Sequence, residues 1–274
     1  MTYFSGKRAA ISGAGDGIGR ALAMALNAQG CELWLCDINS AALDDTVRAL
    51  PNAQTVVHTA VVDCGRREDI DRWANEVASE TSHLDALFNN AGVAYGARFE
   101  ECDLDNFEWL ININLWGVIR ASKAFLPLLK QAPVGHLVNF SSIFGMVGIP
   151  TQTAYNTAKF GVRGFSEALQ TEWRSSSIKV SSVHPGGIKT NIARSARSDG
   201  ESAQATADER DEQFRKMALT TPEKAANIIL RGTEKGKKRI FVGPDAVLLQ
   251  WLTQLFPTGY QILTSKLGPP TEKN

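Results

Sequence analysis

Apolar residues in this chain fall into short dense runs separated by longer stretches in which they return every three to four positions. Runs such as Leu33-Trp34-Leu35-Cys36 and Leu137-Val138-Asn139-Phe140 read as strands buried on both faces. The pattern predicts strands over residues 8–12, 32–36, 55–61, 84–89, 135–140, 179–184 and 239–242, with helical stretches between them. Unbroken alternation of this kind predicts an α/β fold: one doubly wound parallel sheet with helices on both faces, spanning 1–274 as a single domain. Ligands of such a sheet bind at the carboxyl ends of its strands.

Chemistry gathers at those ends. The first strand runs into Ser12-Gly13-Ala14-Gly15-Asp16-Gly17-Ile18-Gly19, after which Ile18, Leu22 and Leu26 repeat at helical spacing. Strand, glycine turn and helix make the opening unit of a Rossmann-type nucleotide-binding sheet. Glycines let the backbone approach a diphosphate, and the helix start offers free N–H groups to it. Asp37 ends the second strand, where an acid holds the adenosine ribose hydroxyls and repels a 2′-phosphate; the expected cofactor is therefore NAD rather than NADP. A turn or helix-start role for Asp37 is the alternative, given Asn39 and Ser40 behind it. Tyr155 and Lys159 stand one helical turn apart, so the ammonium can stabilise a phenolate that would otherwise be a poor base at neutral pH. Ser142 can supply a hydroxyl beside that phenol.

Composition narrows the picture. Hydrophobic residues at 43% and charged residues at 21% suit a globular enzyme. A formal net charge of zero, from 29 acids and 29 bases, argues against a nucleic-acid partner. Without a signal-like leader or a spanning apolar run, the expected location is the cytoplasm. Cys31, Cys36, Cys64 and Cys102 lack paired spacing and are expected as free thiols, and the four scattered histidines predict no metal site.

In order along the chain, Gly13-x-x-x-Gly17-Ile18-Gly19, Asn89-Asn90-Ala91-Gly92, Asn114 within Asn112-Ile113-Asn114-Leu115-Trp116-Gly117, Ser142, Tyr155-x-x-x-Lys159 and Pro185-Gly186 resemble the motifs of the short-chain dehydrogenase/reductase family, classical type. The resemblance covers roughly residues 5–245. Ser12 stands where the family usually has Thr, keeping a hydroxyl. The resemblance implies NAD(H)-dependent interconversion of an alcohol and its ketone or aldehyde. In it Tyr155 is the general acid/base, Lys159 holds the phenolate and the nicotinamide ribose, Ser142 orients the substrate oxygen, and Asn114 holds a water. It also implies cofactor contacts at Asp63 and Cys64 for adenine, at Asn90, Ala91 and Gly92 for the adenosine ribose, and at Pro185, Gly186, Ile188 and Thr190 for the nicotinamide. Asn90 has an alternative, tying neighbouring strands. Asp16 adds negative charge where NADP enzymes of the family carry a base.

Candidate substrate contacts, Val93, Tyr95, Phe144, Met146, Val147, Ile192 and Met217, are nearly all apolar, so a hydrophobic secondary alcohol or ketone is expected. Residues 191–220, rich in small and charged residues, read as a helical flap over the site. The apolar extension over 245–267 must be covered by its own subunit, a partner subunit or, less favoured, a membrane surface. Helices over 106–130 and 153–174 are those through which family members form dimers or tetramers, so a homo-oligomer is expected; the apolar stripe of Ala158, Val162, Phe165 and Leu169 could equally be core. The alternative to an enzyme is an NAD-binding redox sensor or scaffold without turnover.

Overall fold

The computed structural model of the chain describes residues 2–264; Leu267, the last apolar position of the expected tail, lies outside them. Nine strands occur among the described residues: β1 (Arg8–Ser12), β2 (Glu32–Asp37), β3 (Val57–Val61), β4 (Ala86–Asn89), β5 (Tyr95–Gly96), β6 (Gly135–Phe140), β7 (Ile178–Pro185), β8 (Arg197–Ser198) and β9 (Arg239–Val242). Seven of them pair in parallel in the order β3-β2-β1-β4-β6-β7-β9. The order reverses between β1 and β4, which opens a crevice above their carboxyl ends. The interleaved helices are α1 (Gly17–Asn27), α2 (Ser40–Arg48), α3 (Arg67–Glu80), α4 (Leu104–Ile111), α5 (Val118–Gln131), α6 (Thr153–Glu172), α7 (Ala207–Met217), α8 (Pro222–Glu234), α9 (Pro244–Leu255) and α10 (Tyr260–Thr264).

Side-chain alternation along the strands builds two cores. Ile11, Leu33, Leu35, Phe88, Val138 and Val183 face α1 and α8 with Leu22, Leu26, Ile229 and Leu230. Their neighbours Ala10, Trp34, Leu87, Leu137 and Val180 face the other way, against Trp73 of α3 and Phe125 of α5.

The expected strands are all present, with shifted ends. β3 begins at Val57 because Thr55 donates into a turn on the Asn52 carbonyl (3.3 Å). β4 begins at Ala86, since the Leu84 N–H goes to the Leu128 carbonyl (3.2 Å) rather than into the sheet. The helix expected over 106–130 is two helices joined by a π-helical turn at Asn112–Gly117, which turns Asn114 fully inward. The two-residue strands β5 and β8, too short to leave a pattern, pair with each other apart from the main sheet.

Candidate active site

The carboxyl end of β6 and the first turns of α6 bring Ser142, Tyr155 and Lys159 together. The Ser142 hydroxyl lies beside the Tyr155 phenol and pulls its pKa down, and the Lys159 ammonium lies 5.5 Å from the centre of the Tyr155 ring. Lys159 is 4% exposed and donates to the Phe140 carbonyl at 2.9 Å. Asn114 faces the same point: a Cβ added to Gly92 would lie 3.3 Å from Asn114 Oδ1 and 3.6 Å from Lys159 Nζ. The Asn114 amide itself is paired both ways with the Val93 backbone at 2.8 Å. Ser141 points away, donating to the Lys159 carbonyl (2.7 Å), so of the two serines only Ser142 meets the phenol.

Desolvation dominates the electrostatics. It pushes the Tyr155 phenol up to about 12, against the downward pull of the Ser142 hydrogen bond. It draws the Lys159 ammonium down to about 8. The spacing predicts a lysine that lowers the phenol's pKa; the phenol is instead raised by burial, and the downward influence on it is that of Ser142.

Several buried groups set this geometry. Asn156 donates to the Phe144 and Val147 carbonyls (2.6 and 2.8 Å) and accepts from Ile149 N–H (3.0 Å), clamping the loop that precedes α6. Thr151, in that loop, holds a left-handed φ of 66°, a strained conformation for a β-branched residue. Behind Ser142, His184 donates from Nδ1 to the Ser142 carbonyl (3.1 Å) and accepts the Ser182 hydroxyl at Nε2 (3.0 Å). Burial holds that imidazole near 4, hence neutral.

The glycine turn is built as the sequence suggested. Gly13 and Gly17 take left-handed φ values of 67° and 53°. A Cβ at Gly13 would sit 2.8 Å from Ala91 Cα, and one at Gly19 would collide with the Gly13 carbonyl. Ser12 keeps the expected hydroxyl role, accepting from the Asn90 and Ala91 N–H groups at 3.1 Å. The Asn90 amide goes to the Ser12 and Gly13 carbonyls, both 3.0 Å, and so ties β4 to the turn. Asp37 accepts from Gly15 N–H (2.8 Å) and Asn39 N–H (2.9 Å). Arg20 is spent on the Gly15 and Ala42 carbonyls and the Thr46 hydroxyl. Asp63 accepts from Gly65 N–H (2.8 Å), with Cys64 beside it and partly exposed.

A dinucleotide fits this donor set. The N-cap of α1, Asp16, makes no side-chain capping bond, leaving the N–H groups of Gly17, Ile18 and Gly19 to a diphosphate. The Asp37 carboxylate, at the carboxyl end of β2, borders the glycine turn through Gly15 N–H. Thr190 packs against Gly17, and Ile188 bridges to Thr220, which sets the segment after Pro185 and Gly186 beside the glycine turn.

The flap segment contains β8, a short 3₁₀ turn and α7. β8 pairs with β5, and Asp199 receives the Tyr95 hydroxyl, the Asp103 N–H (3.0 Å) and the Asn106 amide (3.3 Å). Arg197 stacks over the Trp109 ring at 3.8 Å. Asn191 donates to Asp16 (2.9 Å) and accepts from Arg215 (2.7 Å), joining flap and glycine turn around a cavity of about 210 Å³. A larger hollow, about 320 Å³, lies at the amino ends of the strands, remote from this chemistry.

Of the expected substrate wall, Phe144 packs edge-on to Tyr155 at 6.2 Å, Val93 packs in the same apolar cluster as Tyr155, and Ile192 is half-buried in the flap segment. Tyr95 is not on the wall, since it is buried and its hydroxyl serves the β5–β8 clasp. Val147 is fully enclosed and Met146 nearly so, while Met217 is 67% exposed. The tail enters through α9, which buries Ala246 but exposes Val247, Leu248, Trp251 and Leu255. Asn156, Asn191, His184 and Asp245 are the site-shaping residues that motif spacing missed. A polar residue beside a catalytic-type tyrosine was the available signal for Asn156; the others act through partners far away in sequence.

Among the described residues there is no cluster of His, Cys, Asp and Glu suited to a metal ion, and no helix long and apolar enough to cross a membrane.

Comparison with known proteins agrees with this geometry. Residues 7–201 match the short chain dehydrogenase family model. A Mycobacterium tuberculosis protein named as an oxidoreductase, SadH, is 40% identical over 268 residues, covering 97% of this chain and 96% of its own. A short-chain dehydrogenase/reductase from Burkholderia phymatum, solved with NAD, superposes with a TM-score of 0.86 at 25% identity over 100% of both chains. An alcohol dehydrogenase of Thermococcus sibiricus, solved with 5-hydroxy-NADP, is 29% identical with a TM-score of 0.65, covering 76% of this chain and 88% of that one. The chain therefore belongs to the classical short-chain dehydrogenase/reductase family and is an oxidoreductase of that type.

Proposed function

We propose that this oxidoreductase interconverts a hydrophobic, secondary alcohol and its ketone, using NAD(H) in preference to NADP(H), with Tyr155 as the general acid/base. The observation that carries the reading is the buried Lys159 ammonium 5.5 Å from the Tyr155 ring, with the Ser142 hydroxyl beside the phenol. When bound, the dinucleotide supplies the hydride acceptor or donor. The glycine turn, Asp37, Asp63, Asn90 to Gly92, and Pro185 to Thr190 would hold it.

The chain's own part is the proton. In oxidation the Tyr155 oxygen takes the alcohol proton while Ser142 donates to the same substrate oxygen and orients it. For that the phenol must first be a phenolate, whose negative charge Lys159 stabilises and the incoming proton neutralises. Asn114, paired with the Val93 backbone, keeps the Lys159 side of the site polar and fixed. In reduction each proton movement reverses.

NAD preference is supported by the Asp37 carboxylate at the end of β2 and by Arg20, whose Nε and Nη2 are engaged by the Gly15 and Ala42 carbonyls and the Thr46 hydroxyl. A carboxylate facing the ribose disfavours a second phosphate. Half-buried Phe144, Val93 and Ile192 support a hydrophobic substrate body. The proposal includes a homo-oligomer in the cytoplasm, in keeping with four unpaired cysteines.

The test is Tyr155→Phe, assayed at the NADH absorbance against alcohols and ketones graded in size. Turnover should fall by about a thousandfold or more, with NADH still bound. Wild-type rates in that variant would remove the phenol from the mechanism.

A further inference from the structure

The segment from Pro185 to Thr190 is held from three directions. Gly186 N–H donates to the Val242 carbonyl of β9 at 2.9 Å. Thr220 brackets the next residues, donating to the Gly187 carbonyl (3.2 Å) and accepting from Lys189 N–H (3.0 Å). The third hold comes from the C-terminal helix: Gly187 N–H donates to Asp245 Oδ2 at 2.6 Å. Asp245 sits in the first turn of α9, where an acidic side chain suits the helix dipole.

The surroundings of this carboxylate are unusual. Its other oxygen, Oδ1, is buried without a hydrogen-bond partner among the described residues. A Cβ at Gly186 would collide with the carboxylate, and so would one at Gly243, whose φ is 104°. Two glycines thus make room for one acid. A half-satisfied buried carboxylate costs free energy, and a hydroxyl would have answered the Gly187 N–H with less desolvation.

We propose that Asp245 is a positioning residue for the nicotinamide end of the cofactor. By gripping the Gly186–Gly187 turn it fixes the Ile188 backbone and Thr190 hydroxyl, making the first turn of α9 part of the active-site scaffold. The inference rests on the cofactor reading above and deepens it. It also gives the apolar extension a function at its root, whatever covers its outer face.

The experiment compares Asp245→Ala, Asp245→Asn and Gly186→Ala with wild type. NADH affinity is read by fluorescence titration, kcat and alcohol KM by steady-state rates, and backbone order by hydrogen exchange of residues 186–190. Asp245→Ala should raise the NADH Kd about tenfold, lower kcat and leave alcohol KM within about twofold. Asp245→Asn keeps an acceptor oxygen in the same place and should recover most of the affinity. Gly186→Ala, which drives the carboxylate away, should reproduce the alanine phenotype.

A folded Asp245→Ala protein with unchanged NADH affinity and kcat would overturn the proposal. Should that variant not fold, hydrogen exchange on wild type decides: a Gly187 amide exchanging as fast as an exposed one would overturn it, and a protected one supports it. A wild-type protein that binds no NADH would sink the cofactor reading and this inference together, whereas NADH binding indifferent to Asp245 would sink this inference alone.

Discussion

At the scale of single residues, the site works against its own stability. Lys159 is buried and carries an ammonium whose pKa has dropped from its ordinary 10.5 to about 8. Between those values the unfolded chain binds a proton that the fold has released, so stability should rise with pH across that window; below it the buried charge is a standing cost. Lys159→Met should therefore raise stability by about 1–3 kcal/mol at neutral pH, a few degrees in Tm, while abolishing turnover. Calorimetry beside an activity assay reads both. Tyr155, held up to about 12, keeps its proton at neutral pH in the protein without cofactor. Alcohol oxidation should consequently accelerate as pH rises over roughly 6 to 10, as the phenolate fraction grows, whereas carbonyl reduction, which uses the protonated phenol, should hold steady over that window; initial rates in both directions test the pair. At Asp37, Asp37→Ser should narrow the preference for NADH over NADPH by about tenfold or more, measured as the ratio of kcat/KM values. These residues were legible in the sequence because the chemistry needs given side chains at fixed spacing. Asp245 was not, since its partner Gly187 is 58 positions away and no periodicity links them.

At the scale of elements, the long strands and helices could be read directly from apolar patterning, and the joints could not. The π turn at Asn112–Gly117 keeps helical periodicity on both sides, so the sequence shows one helix where the backbone slips by a residue to bury Asn114. β5 and β8 carry two residues each, below the length at which alternation is visible. Their pairing nonetheless fastens the flap to the opposite wall through Asp199, which gathers Tyr95, Asp103 and Asn106. Asp199→Ala should loosen that attachment: substrate KM should increase about fivefold and residues 195–206 should become cleavable by protease. NADH affinity should stay near wild type, because the glycine turn has its own supports in Ser12 and Asn90. A flap equally protected in the variant would show that the strand pairing alone suffices.

At the scale of the whole molecule, the parallel sheet excludes water from two of the four histidines. His136 and His184 are held at about 4, chiefly by burial, against an ordinary 6.5. As pH falls from 6.5 toward 4 the unfolded chain takes up protons that the fold refuses, so stability should drop by on the order of 2–3 kcal/mol per histidine. Urea midpoints measured between neutral pH and pH about 5 should show that slope, and His136→Gln should flatten it. The sheet's strand order has a further consequence for biosynthesis. Among the described residues β9 is the last strand in sequence and an edge of the sheet, yet with Asp245 just beyond it, it supports the turn after β7. A nascent chain still threaded through the ribosome exit tunnel at residue 236 has its tyrosine and lysine in hand but no finished seat for the nicotinamide. On the reading proposed above, cofactor capture awaits the emergence of β9 and Asp245, and termination before them should yield polypeptide that chaperones retain rather than a slow enzyme.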